Sequence, residues 1–187
     1  MVRESHRASQ VIGGIRNLFT GADQGQEPID VNEIALGALR ILRGELKDHG
    51  ITMRLELTPD LPHVMGHGGQ LQEVILNLVH NAIEAMDAIR DRSRVLRVIT
   101  QRHDRDTIIV AVEDTGPGIS AEKLDRIFDA FATTKRKGMG LGLPISRMIV
   151  EHHGGQLSVQ SDEKRHGALF QFTLPINSAA GSTAAPL

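Results

Sequence analysis

Apolar residues at Ala8, Val11, Ile12, Ile15, Leu18 and Phe19 recur at three- and four-residue spacing, predicting an amphipathic helix from about Glu4 to Phe19. Its apolar stripe needs a partner. Two glycines and a proline in GADQGQEPI, residues 21–29, break the pattern and read as a linker, with a domain boundary near residue 25. Asp30 followed by Glu33 has the arrangement of a capping box. Ile34, Ala38, Leu42 and Leu46 then continue a helical face that should stop near Gly50. A further helical segment, residues 67–89, projects Leu71, Val74, Ile75, Leu78, Val79, Ala82 and Met86 to one side.

Elsewhere the period changes. MRLELT (53–58), VLRVITQ (95–101), TIIVAVE (107–113), QLSVQS (156–161) and ALFQFTL (168–174) alternate or run apolar at strand length. Five strands among long helices imply an α/β sandwich. The gap between the second and third strands is hairpin-sized, so that pair should be antiparallel, which disfavours a doubly wound Rossmann fold. The tail 177–187 is small, polar and proline-bearing, with too little apolar surface to offset its ordering entropy, and is expected to be disordered. The chain thus divides into residues 1–25, 26–176 and 177–187.

Composition narrows the chemistry. With 21 basic against 23 acidic residues, a net charge of −2 supplies no global field for nucleic acid or an anionic membrane, so any anion site must be local. The absence of cysteine excludes disulfides, a thiol nucleophile and zinc-thiolate sites, and agrees with a reducing compartment such as the cytoplasm. No apolar run approaches the ~20 residues that span a bilayer, and the polar start MVRESHRASQ lacks a signal-peptide core.

Three segments carry candidate chemistry. On the helix over 67–89, the face opposite the apolar stripe holds Glu73, Asn77, His80 and Glu84, with Asn81 at its edge one turn after Asn77. Amide oxygens suit magnesium, which takes only one or two protein ligands when it is bound to a nucleotide. Such a face is by itself more often a solvated surface, and a lone histidine on it more often a surface residue than a phosphate contact.

In TIIVAVEDTGPGIS a strand runs out at Glu113 and places Asp114 before Thr115, Gly116, Pro117 and Gly118. Glycines there let a planar ligand approach closely, and an ionised carboxylate accepts the amino group of adenine while refusing guanine's carbonyl. Asp, Gly and Pro are also the commonest turn residues, so a simple tight turn competes with this reading.

In IFDAFATTKRKGMGLGL, residues 127–143, glycines 138, 140 and 142 precede Pro144, a residue tolerated in the first turn of a helix. Backbone N–H groups at such a helix start favour phosphate, and Lys135, Arg136 and Lys137 add positive charge. The spacing is neither GxxxxGK[ST] nor GxGxxG.

Taken in order, NLVHNAIEAM, DTGPGI, IFDAFATTK, GMGLGLPISRMIVEHHGG and GALFQFTLP closely resemble the catalytic domain of bacterial sensor histidine kinases, over roughly residues 30–175. The wording of the asparagine helix resembles the oxygen-sensing and nitrogen-regulatory branch. The family belongs to the gyrase, Hsp90, histidine kinase and MutL superfamily.

The resemblance implies a two-layer α/β sandwich of Bergerat type holding ATP and Mg2+. Asn81 would bind the metal, Asn77 and His80 would flank the phosphates, and Asp114 would hold the adenine amino group. Gly116, Gly118 and Ile119 would shape the base pocket. Phe128 and Phe131 would anchor a lid containing Thr133, Thr134 and Lys135, and Gly138, Gly140, Leu141 and Gly142 would serve the phosphate end. Many relatives carry a basic residue where Glu84 stands, and Lys135 is the candidate substitute. Asn77, His80 and Lys135 make up the expected catalytic set.

The nucleophile is missing from this picture. The family's acceptor histidine lies in a motif like H-E-L-x-x-P on the first helix of a dimerisation hairpin, and none of the nine histidines has that context, His6 in SHRASQ included. The stripe from Ala8 to Phe19 resembles the second helix of that hairpin. The implied partners are a phosphoacceptor-histidine dimerisation domain, a response regulator through it, and a second copy in a full-length homodimeric kinase. Neither nucleic acid nor a membrane is expected to contact this chain. Two other classes compete: an ATPase switch or serine kinase on the same fold, and a nucleotide-free interaction module, which the intact Asp114, Asn81 and glycine series disfavours.

Overall fold

The computed structural model describes residues 25–131, 139–161 and 166–176. The expected helix over residues 4–19, the linker residues 21–24, the lid residues Thr133, Thr134, Lys135 and Gly138, and the tail 177–187 lie outside the described residues.

Helix α1 (Val31–Asp48) begins where Asp30 accepts the N–H of Asn32 at 2.8 Å, satisfying one of the free donors of the first turn. It ends in a Schellman arrangement. Ile51 N–H donates to Leu46 O at 2.9 Å and Gly50 N–H to Lys47 O at 3.0 Å, with Gly50 at a φ of 63°. The chain stops the helix where the sequence places Gly50. Helix α2 (Gly68–Met86) buries every apolar residue expected of it, together with Ile83. Each fully buried Leu or Ile on that face contributes about 1.5–3 kcal/mol, so this helix anchors the core.

The strands are β1 (Glu27–Ile29), β2 (Thr52–Leu57), β3 (Val64–Gly66), β4 (Val95–Arg102), β5 (Thr107–Asp114), β6 (Leu157–Ser161) and β7 (Ala168–Pro175). Five form one mixed sheet in the order β2-β4-β5-β7-β6. Strands β2 and β4 are parallel, while β4–β5, β5–β7 and β6–β7 are antiparallel, including the expected hairpin that pairs Arg102 with Ile108. The two-layer α/β sandwich is therefore as expected. The sequence reading did not include β1 and β3, which pair antiparallel and set Ile29 beside Val64. Residues 27–29, read as the end of a linker, are strand.

One face of the large sheet supplies Leu96, Val98, Ile108, Val110, Val112, Phe170, Phe172 and Leu174 to the core under α1, α2 and α4 (Gly142–His152). The other face carries charge. Arg97 donates to Glu56 on β2 at 2.8 and 3.0 Å and to Glu113 on β5, a ladder across three strands. A four-residue helix α3 (Ala121–Leu124) follows the β5 turn. Among the described residues no helix is long and apolar enough to cross a membrane.

Candidate functional site

Strand β5 ends on Asp114, whose side chain is 4% exposed. Burial pushes its carboxyl up to about 6, although the backbone N–H groups of Gly116 and Ala168 pull the other way. Gly116 N–H donates to Asp114 Oδ1 at 2.7 Å. The turn beyond leaves no room for a side chain at Gly116. A Cβ at Gly116 would lie 2.6 Å from Asp114 Oδ1 and 3.2 Å from the Cβ of Ala85, so the end of α2 closes one wall of this pocket. Gly118 adopts a φ of 83°, open to glycine. Ile119 is half-buried and donates its N–H to Ser161 Oγ at 2.8 Å, which in turn donates to Gly167 O at 2.7 Å. Gly167, at a φ of 105°, passes so close that a Cβ would lie 2.1 Å from Asp114 O. Turn, hairpin and strand end are thus interlocked around one buried carboxyl.

Two turns back along α2, Asn77 lies at the middle of the helix. Its amide Nδ2 donates to Ser146 Oγ on α4 at 2.9 Å, and a Cβ on Gly142 would meet Asn77 Oδ1 at 2.4 Å. Asn81 stands between them, half-buried. From Asn77 to Ala85 the helix rises about 12 Å, the span over which base and phosphates of one nucleotide can lie side by side with α2. Half burial also pushes the carboxyl of Glu73 up, one turn before Asn77.

Helix α4 starts at Gly142, with Pro144 in its first turn. The residue at its cap position is Leu141, which has no side-chain acceptor, so the N–H groups of the first turn face outward uncapped by any side chain. Gly140 has a φ of 64° and accepts the N–H of Phe131 at 3.0 Å, a bond that ties together the two ends of the segment 132–138. Phe131 is 73% exposed with a φ of 67°. Phe128 is half-buried, with the Arg147 guanidinium 5.3 Å from its ring centre. Both precede residues 132–138, which lie outside the described residues.

The structure brings Asp114, Gly116, Gly118 and Ile119 together at the C-terminal end of α2, and sets Gly142, with Gly140 and Leu141 before it in the chain, beside Asn77 at the middle of that helix. His80 takes a different direction. Its Nδ1 lies 3.4 Å from Glu45 Oε1 on α1. Thr133, Thr134, Lys135 and Gly138 lie outside the described residues.

Several residues that shape the site were not singled out in the sequence. Ser161 bridges Ile119 to Gly167, Ser146 holds Asn77, and Arg92 donates to the carbonyls of Thr115 and Gly116. A serine inside a strand and an arginine in a polar loop have no periodic signature, and only the serine beside the glycine-rich helix start offered a hint.

A family profile described as histidine kinase-, DNA gyrase B- and HSP90-like ATPase matches residues 66–178. Sensor histidine kinase TmoS of Ectopseudomonas mendocina is 32% identical over 95% of this chain, and sensor protein TdiS of Thauera aromatica is 34% identical over 91% of it. The chain spans 18% and 31% of the lengths of these two relatives. Among solved structures, the nucleotide-free catalytic domain of histidine kinase ThkA is 28% identical, with a TM-score of 0.70 over 80% of this chain and 95% of that one. Full-length ShkA in complex with AMPPNP is 25% identical, with a TM-score of 0.78 over 94% of this chain and 36% of that one. The chain belongs to the histidine kinase-, DNA gyrase B- and HSP90-like ATPases, and among them it is the ATP-binding catalytic domain of a two-component sensor histidine kinase.

Proposed function

We propose that the cleft along α2 takes ATP with magnesium, adenine at Asp114 and phosphates at the start of α4, and presents the γ-phosphate to a histidine on a dimerisation hairpin. The buried carboxylate of Asp114 carries this reading. An ionised acceptor held at a pocket floor, flanked by glycines that clear the approach, selects an amino group and turns away a carbonyl. The uncapped first turn of α4 supplies donors for the phosphates, and Asn77 holds that turn against α2.

An amide oxygen from Asn81 suits a magnesium ion that draws its other ligands from phosphates and water, and such an ion would supply charge neutralisation on the β- and γ-phosphates. Lys135 is assigned to the γ-phosphate in place of the basic residue that Glu84 replaces. His80 is placed beside the phosphates only through the family resemblance, and its contact with Glu45 would have to open first.

Transfer itself breaks the bond from the γ-phosphorus to its bridging oxygen while an imidazole nitrogen forms the new one, and ADP leaves. The protein's part is positioning, so the nucleophile can sit on another polypeptide segment. The response regulator, which would then draw the phosphoryl group from that histidine, is a second-step partner. The oxygen-sensing or nitrogen-regulatory branch rests on the wording NLVHNAIEAM alone.

Mixing tests this. The chain is incubated with γ-labelled ATP, magnesium and a separate hairpin bearing an H-E-L-x-x-P helix, and acid-labile label is expected on the hairpin. Binding of ATP without any labelled hairpin would end the transferase reading, and acid-stable label on a partner would favour the serine-kinase alternative.

A further inference from the structure

We infer that Arg92, in the connection between α2 and β4, is a positioning residue of the adenine pocket, fixing through the Thr115–Gly116 peptide the carboxylate that reads the base. The inference rests on the ATP reading above and assigns to that site a residue outside its motifs.

The geometry is specific. Arg92 Nη2 donates to Gly116 O at 2.9 Å and Nε to Thr115 O at 3.3 Å, so one guanidinium spans two successive carbonyls of the DTGPG turn. The carbonyl of Thr115 and the N–H of Gly116 belong to one planar trans peptide and therefore point in opposite directions. The carbonyl end is bound by Arg92, and the N–H end donates to Asp114 Oδ1 at 2.7 Å. If this peptide flipped, it would turn a carbonyl oxygen toward a buried carboxylate and remove its closest donor. Arg92 opposes that flip from the far side. The second bond, to Gly116 O, fixes the next peptide and with it the wall that Gly116 forms against Ala85.

The same connection grips the turn again. Thr115 Oγ1 accepts the N–H of Val95 at 2.9 Å and donates to Ser93 O at 3.0 Å. The threonine side chain therefore sets the position of the turn, and the guanidinium sets the orientation of its peptides. Arg92 is 28% exposed, and its other neighbour, Asp91, is 77% exposed at 3.4 Å, a surface contact of small consequence. Lysine cannot reproduce the arrangement, because a single ammonium lacks the planar fork that reaches two carbonyls at once.

A staple that only stabilised the fold would weaken all ligands of the folded protein equally or not at all. Orientation of Asp114 predicts a loss confined to the amino group of adenine. The test compares binding of Mg-ATP with that of the triphosphate of purine riboside, which lacks the 6-amino group, by the full chain and its Arg92→Ala and Arg92→Lys variants, with folding checked by thermal melting. The wild type should prefer ATP, and both variants should lose about tenfold of that preference, the scale of one hydrogen bond to a charged group. In an Asp114→Asn background the Arg92 substitutions should change the preference no further. If Arg92→Ala does not fold, Arg92→Lys carries the test. An undiminished preference in the folded variants, or an equal loss for both nucleotides, overturns the role of Arg92. Failure of the wild type to bind ATP would instead sink the underlying reading, which keeps the two outcomes apart.

Discussion

The amide of Asn77 donates to the hydroxyl of Ser146 across 2.9 Å, joining the helix that carries the asparagines to the helix that starts at Gly142. Ser146 is 2% exposed and Asn77 half-buried, so this bond is partly withdrawn from water. It fixes the spacing of α2 and α4 at this point.

Gly142→Ala tests that setting. Gly142 lies within the first turn of α4 and is not among the residues with positive φ, so helix propensity alone predicts stabilisation by up to about 1 kcal/mol. A Cβ there would stand 2.4 Å from Asn77 Oδ1, a distance that must widen. The clash decides the sign. The variant should bind ATP about tenfold or more weakly, and isothermal titration with ATP against adenosine should show the loss with the triphosphate and not with the nucleoside. Full ATP affinity would show that the tie can yield at no cost to the site.

Asp114→Asn should separate function from stability. The folded carboxyl holds its proton up to about 6 against an ordinary 3.8, so its contribution to stability is full below the ordinary value and is lost as pH rises through about 6. At neutral pH the buried charge costs up to about 3 kcal/mol. Asparagine retains an oxygen to accept from Gly116 and carries no charge. The variant should therefore lose ATP binding by about a hundredfold while its apo melting temperature at pH 7.5 holds or rises. Near-normal affinity would undo the role of Asp114, and a collapsed melting curve would show that its carboxylate is needed by the fold.

Most of this architecture was legible in the sequence. The buried face of α2 followed from a 3.6-residue period, and each of the five long strands lies within a residue of the ends read for it, because alternation over six to eight positions survives local irregularity. Strands β1 and β3, at three residues each, are too short to display a period, and Pro28 made the first look like a linker. The asparagine stripe placed His80 beside Asn77, yet a stripe is broad enough for one member to lean toward α1 and Glu45. Arg92 was illegible for another reason. Its partners are backbone carbonyls 23 and 24 residues away, and backbone carbonyls leave no mark in a sequence.

Lys135 lies outside the described residues, and its assignment rests on the acidic Glu84 standing where many relatives carry a basic side chain. Lys135→Ala should weaken ATP binding by about threefold to tenfold, the scale of one ion pair in contact with solvent, and leave ADP binding nearly unchanged if the contact is to the γ-phosphate. Titration of both nucleotides measures the difference. Equal affinity of mutant and wild type for ATP would refute the contact.

The remaining prediction concerns His153, at the far end of α4. Its Nε2 accepts the backbone N–H of His67 at 3.0 Å and its Nδ1 lies 2.7 Å from Ile149 O, a pair of contacts that fits the neutral ring protonated on Nδ1. The ring is 4% exposed, and Gly66 packs against it so tightly that a Cβ would meet its Cδ2 at 2.5 Å. Burial, with His67 and His152 nearby, moves its pKa below the ordinary 6.5. A depressed folded value means that its contribution to stability is full above 6.5 and is lost as pH falls below it. Asp114 acts in the opposite sense over the same range, so the two would mask each other in the wild type. In the Asp114→Asn background the melting temperature should fall between pH 7.5 and 5.5, and the further change His153→Ala should cost about 2–4 kcal/mol of stability at pH 7.5 while flattening the dependence of the melting temperature on pH. An equally steep decline in the double variant would assign the acid sensitivity to another group.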